Sequence, residues 1–195
     1  MTRPSAGDPI VGVLLAAGSA SRFGGAKLLA PLKDGTPLGV RAFCNLVTCV
    51  DSVIAVVRPG DQAVARALSD RGAELTVCPH AANGMGQSLS WAIRATPLAK
   101  AWVIALADMP WIEIATIQRI ADALELGAEL VAASHQGVRG HPVGFSRRYY
   151  GELAALTGDE GAKSLVRRHE RELQLIETDD AGISRDVDTP GDLAR

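Results

Sequence analysis

Short, mainly apolar runs alternate along the chain with longer segments in which apolar residues recur every three or four positions. Residues 10 to 15 (IVGVLL), 52 to 57 (SVIAVV), 74 to 78 (ELTVC) and 101 to 106 (AWVIAL) are apolar stretches bounded by turn formers, the pattern of buried strands. Helical spacing fills the gaps, at 38 to 47, 62 to 71, 85 to 95 and 112 to 124. Further strands are expected at 129 to 134, 142 to 146 and 172 to 177, and further helices at 148 to 156 and 161 to 169. Such alternation predicts a Rossmann-like three-layer α/β/α fold, with right-handed crossovers and helices on both faces of a mostly parallel sheet. No Pro/Gly/Ser-rich linker or internal repeat divides residues 1–195, so one domain is expected, with residues 1–9 as a flexible N-terminal tail.

Open sheets of this kind place ligands outside the carboxyl ends of their strands. The segments after the first, third and fourth strands, 16 to 27, 79 to 88 and 107 to 111, are therefore where chemistry is sought. The first reads AAGSASRFGGAKLLAPL, with Gly18, Gly24 and Gly25 around Arg22 and ahead of Lys27. Glycines let backbone N–H groups approach a phosphate closely, and Arg and Lys supply fixed positive charge. The spacing is neither that of a Walker A loop nor that of a dinucleotide fingerprint. By composition alone, a solvated glycine-rich surface loop is an equal alternative.

The fourth strand runs into ALADMPWI, leaving Asp108 at its tip, where a hard carboxylate suits Mg²⁺ or caps the following helix. NGMGQSLSWAIR opens a helix with Gly84, Met85, Gly86 and Ser88, and a helix N-terminus favours phosphate or the acceptor atoms of a base. Met85 also suits the core and Ser88 a cap. GQSLS lacks the last glycine of the serine-hydrolase elbow. In RDVDTPGDLA, Asp186 and Asp188 lie two apart, on one face of an extended segment, and can converge on one cation; alternatively Asp188 and Thr189 start a terminal helix. His141 lies in RGHPVGF, as an anion-binding or a structural residue, and His135 and His141 do not make a zinc pattern.

Composition narrows the class. With 47% hydrophobic and 22% charged residues, the chain resembles an ordinary globular protein, and a net charge of −2 argues against nucleic acid as a partner. No apolar stretch reaches the ~18 residues of a membrane span, and MTRPSAGDPI lacks the apolar core of a signal peptide. Three cysteines, Cys44, Cys49 and Cys78, are odd in number and unsuited by spacing to a disulfide framework or a zinc site. A cytoplasmic protein without a membrane association is expected.

The string LLAAGSASRFGGAKLLAPL resembles, almost residue for residue, the signature of the MobA-like nucleotidyltransferases, and within them the molybdenum cofactor cytidylyltransferases. The elements GMxxSL, ADMP, GHP, GDEGAK and DVDTP follow in family order, so the resemblance spans nearly the whole chain after residue 9. It implies the nucleotidyltransferase version of the expected fold. It implies that Leu15, Ala16, Ala17 and Gly18 hold a nucleotide, that Arg22 and Lys27 grip its phosphates, and that Gly84, Met85 and Ser88 contact it. Asp108, with Asp188 as the favoured second ligand over Asp186, would hold Mg²⁺. Arg22, Lys27 and Asp108 are the implied catalytic residues, and Arg139, His141 and Lys163 would bind an anionic, phosphorylated pterin acceptor. The implied reaction is transfer of CMP from CTP to a molybdopterin-type cofactor, with a molybdenum hydroxylase apoprotein as a downstream partner. Ala17 points to CTP, because GTP-using relatives carry glycine there. A GTP-using nucleotidyltransferase, a sugar-phosphate nucleotidyltransferase and a non-catalytic carrier of the molybdenum cofactor are the competing expectations.

Overall fold

The computed structural model describes residues 7–19 and 23–194. The strands are β1 (Ile10–Leu15), β2 (Ser52–Val57), β3 (Glu74–Val77), β4 (Ala101–Leu106), β5 (Leu130–His135), β6 (Val138–Ser146) and β7 (Leu173–Glu177). The helices are α1 (Leu38–Val47), α2 (Gln62–Ser69), α3 (Met85–Ala95), α4 (Ile114–Glu125), α5 (Tyr150–Ala154) and α6 (Lys163–Arg168). The sheet order is β3-β2-β1-β4-β6-β5-β7, all parallel except β6, which runs antiparallel to both β4 and β5.

Alternation along the strands builds two cores from one sheet. In β4, Ala101, Val103 and Ala105 face one side while Trp102 and Ile104 face the other, and β1 divides Ile10 and Leu14 from Val11 and Val13 in the same way. The first face packs against α1, α2 and α4 through Val40, Phe43, Leu46, Val64, Leu68, Ile117 and Ile120. The second packs against α3, α5 and α6 through Leu89, Ile93, Leu153, Leu165 and Val166, around the fully buried rings of Trp102, Phe145 and Tyr149. Because both faces of β1 and β4 are covered, these strands are continuous apolar runs, and their tips are fixed from both sides. The single-domain three-layer architecture expected from the sequence is the one observed.

Several boundaries differ from the sequence reading, and two of them have a clear local cause. β6 begins at Val138 rather than at 142, and its register with β5 shifts between Ala132 and Ser134. Pro142 has no N–H to give to a ladder, and it sits in this irregular stretch, which is where a strand tolerates proline. α6 starts only at Lys163, because Gly161 holds φ +54 and cannot belong to a right-handed helix. Cys44, Cys49 and Cys78 are free thiols. Among the described residues, no helix is long and apolar enough to cross a membrane.

Candidate active site at the strand tips

A cleft of about 810 Å³ opens at the carboxyl edge of the sheet, where β1, β2, β3 and β4 end. The backbone leaving β1 forms one wall, from Leu15 through Ala16, Ala17 and Gly18. Ala16 and Ala17 are buried, and Ala16 N–H donates to the Val56 carbonyl at 2.9 Å, so this wall extends the sheet rather than flexing as a loop. The opposite wall is the start of α3, with Gly84, Met85 and Ser88. Ser88 is buried and Met85 is 43% exposed, facing the opening and not the core.

The charged centre is assembled from three distant segments. Lys27 begins a short 3-10 turn, Lys27–Leu29, and its side chain is only 10% exposed. Its Nζ donates to Asp108 Oδ2 at 2.8 Å and lies 3.9 Å from Asp188 Oδ1. Asp108 follows β4, and its carbonyl accepts from Val187 N–H at 3.0 Å, which docks the DVDTP segment beside the strand tip and brings Asp188 to the cluster. Asp192 then fixes the turn, accepting from Asp188 N–H, Thr189 N–H and the Thr189 hydroxyl through Oδ2. The Asp108 carboxylate is engaged by Lys27 and does not cap α4, whose entry is held instead by Asp180 Oδ2 accepting from Glu113 N–H at 2.8 Å.

A cation buried between two carboxylates marks this point as one where positive charge is stabilised. The donors are hard oxygens, the type that Mg²⁺ or Mn²⁺ prefers. Among the described residues, no group of three or more His, Cys, Asp or Glu is placed to hold an ion unaided. Asp108 and Asp188 therefore fit an ion that draws its other ligands from substrate phosphates and water, which is the habit of Mg²⁺.

The acceptor residues implied by motif fall outside the cleft lining. His141 faces Asp108 and Asp186 from β6; its Nδ1 is buried and makes no hydrogen bond. Burial holds the imidazole below its ordinary pKa, against the opposing pull of the Ile104 carbonyl and the Asp108 carboxylate. Arg139 lies two residues back on the same strand, opposite Ser134, and Lys163 is exposed at the first position of α6. Arg22 lies outside the described residues.

Several lining residues were not singled out by the sequence. Arg58 and Asp61, just after β2, pair at 2.7 Å (Nε to Oδ2) on the cleft wall, and Pro59, Pro79 and Ala81 lie beside them. The strand-tip rule applied to β2 as well as to β1, β3 and β4 would have found Arg58. Asp159, from the GDEGAK motif, lines the cleft too, although its neighbour Lys163 does not.

Fold and site together define a nucleotidyltransferase. The model of the MobA-like NTP transferase domain matches residues 12–173, and the chain belongs to that family. It is 30% identical over 193 residues to the purine catabolism protein PucB of Bacillus subtilis (93% of this chain, 92% of that one). It is 28% identical over 195 residues to the nicotine blue oxidoreductase of Paenarthrobacter nicotinovorans (95% of each chain). Among solved structures, Rv0371c of Mycobacterium tuberculosis superposes with a TM-score of 0.82 at 31% identity, over 95% of this chain and 96% of that one. A manganese complex of Rv0371c aligns with a TM-score of 0.79 at 30% identity, over 96% and 97% of the two chains.

Proposed function

We propose that this protein transfers CMP from CTP to the terminal phosphate of a molybdopterin-type cofactor. An oxygen of that phosphate attacks the α-phosphorus in line; the new O–P bond forms as the bond from the α-phosphorus to the bridging oxygen breaks, and pyrophosphate leaves. A phosphate monoester is largely dianionic near neutral pH, its second pKa being about 6, so the nucleophile needs no general base. Catalysis then depends on positioning and on neutralising charge that grows on the leaving group.

The observation that carries this reading is the placement of Lys27 Nζ against Asp108 and Asp188 at the end of a nucleotide-sized cleft. The ammonium of Lys27, free to exchange a carboxylate for a phosphate oxygen, would neutralise the leaving pyrophosphate, with Arg22 assigned the same task by motif. Asp108 and Asp188 would hold a divalent ion, Mg²⁺ by preference, which would supply positive charge to offset that of the phosphates. Ala16, Ala17, Gly18, Gly84, Met85 and Ser88 would hold the nucleoside, leaving Arg139, His141 and Lys163 for the anionic acceptor. Ala17 in place of glycine supports CTP over GTP, and delivery of the product to a molybdenum hydroxylase apoprotein would follow.

Pyrophosphate release, measured with each nucleoside triphosphate against molybdopterin and against sugar phosphates, tests the reading. CTP- and molybdopterin-dependent release is expected. Release only with GTP or only with sugar phosphates would reassign the substrates, and molybdopterin binding without nucleotide consumption would make the protein a carrier.

A further inference from the structure

The segment Thr157–Gly161 reaches the nucleotide cleft by being seated on the first turn of α3. Gly86 N–H donates to the Gly158 carbonyl at 2.8 Å. The approach is so close that only glycine fits on the α3 side: a Cβ on Gly86 would lie 2.6 Å from the Thr157 carbonyl oxygen, and one on Gly84 2.3 Å from that of Gly158. Gly84 also holds φ +113, which other residues rarely adopt. A Cβ built on Gly84 would also lie 2.5 Å from Asp159 Oδ1, so the Asp159 carboxylate rests against the turn that forms the nucleotide wall.

Three carboxylates line the cleft. Asp108 is paired with Lys27 and Asp61 with Arg58, whereas Asp159 forms no ion pair among the described residues. The Gly84–Gly86 turn is the wall assigned to the nucleoside, so Asp159, which rests against that turn, belongs to the nucleoside end of the cleft. Its oxygens can only accept hydrogen bonds. A base that presents an amino group there is held; a base that presents a carbonyl sets oxygen against oxygen.

We infer that Asp159, clipped to the Gly84–Gly86 turn, is a base-selecting residue that accepts a hydrogen bond from an exocyclic amino group and rejects uracil. This rests on the nucleotide-transfer reading of the same cleft and adds a specificity determinant from the segment that motif alone gave to the acceptor. The competing role for an acid at this place is structural, as a negative group near the N-terminus of α3.

Nucleotide affinities measured by calorimetry with CTP, UTP and 2′-deoxy-CTP in the presence of Mn²⁺ separate these roles. The wild type is expected to favour CTP over UTP by about tenfold or more, the lower end for a hydrogen bond to a charged group. Asp159→Asn, whose amide can donate to the uracil oxygen, is expected to bring the two affinities to within a few-fold. Gly86→Ala, which displaces the 157–161 segment, should lose the same discrimination. Unchanged CTP-to-UTP ratios in both variants, with only the melting temperature lowered, would overturn the inference and leave the structural role. A loss in Asp159→Asn seen with CTP but absent with 2′-deoxy-CTP would also overturn it, by placing the contact on the sugar. If the wild type binds no nucleoside triphosphate at all, the transferase reading itself fails.

Discussion

Lys27 and Lys163 are both matched by motif to phosphate, yet the fold treats them in opposite ways. Lys27 is held at 10% exposure between Asp108 and Asp188, while Lys163 stands exposed at the start of a short helix. A buried ammonium is tolerated only where partners offset its desolvation, and here the partners come from the tip of β4 and from a segment 80 residues further on, at Asp188. Arg139 likewise lies outside the cleft lining, on the irregular part of β6. The strand-tip cluster is thus preorganised before any substrate arrives, which is what electrostatic catalysis requires. Among the described residues, neither Arg139 nor Lys163 takes part in a comparable ion-paired cluster.

Substitutions on the two sides should therefore differ in kind as well as in size. Lys27→Ala should lower turnover by on the order of 10²-fold, the cost of losing one preorganised charge-stabilising group, with pyrophosphate release as the readout. Turnover within a few-fold of wild type would break the contrast. Gly86→Ala should destabilise the protein by about 1–3 kcal/mol, as overpacked sites do, seen as a lower urea midpoint at constant slope. Lys163→Ala should act last and least. An exposed ion contact contributes ~0.2–1 kcal/mol, so the KM for the acceptor should rise up to about fivefold while the KM for the nucleotide stays unchanged. An equal rise in both would join Lys163 to the nucleotide site and remove the distinction between the two regions.

Much of this was legible in the chain. β1, β2, β4 and α1 fall at the predicted residues because each is a continuous apolar or amphipathic segment with turn residues at its ends. β6 is expected only from 142, whereas pairing with β5 carries the strand back through Pro142 and Gly140 to Val138 by way of an irregular register. In the site, Lys27 and Asp108 were legible because both belong to the segments that follow strand tips. Arg58 was equally accessible to that rule, and was missed because its segment carries no glycine-rich or metal-binding signature. Asp159 was not legible as a cleft residue, since only the contact between Gly86 and Gly158, 72 positions apart in the chain, places it there.

The charge cluster itself is tested most directly by titrating Mn²⁺, followed by its electron paramagnetic resonance signal, into wild type, Asp108→Asn and Asp188→Asn with CTP present. Each substitution should weaken Mn²⁺ binding by at least about tenfold, the smaller end of the loss seen when the surroundings of a metal site are altered. Wild-type affinity in both variants would contradict the assignment of these carboxylates, and with it the electrostatic basis of the proposed transfer.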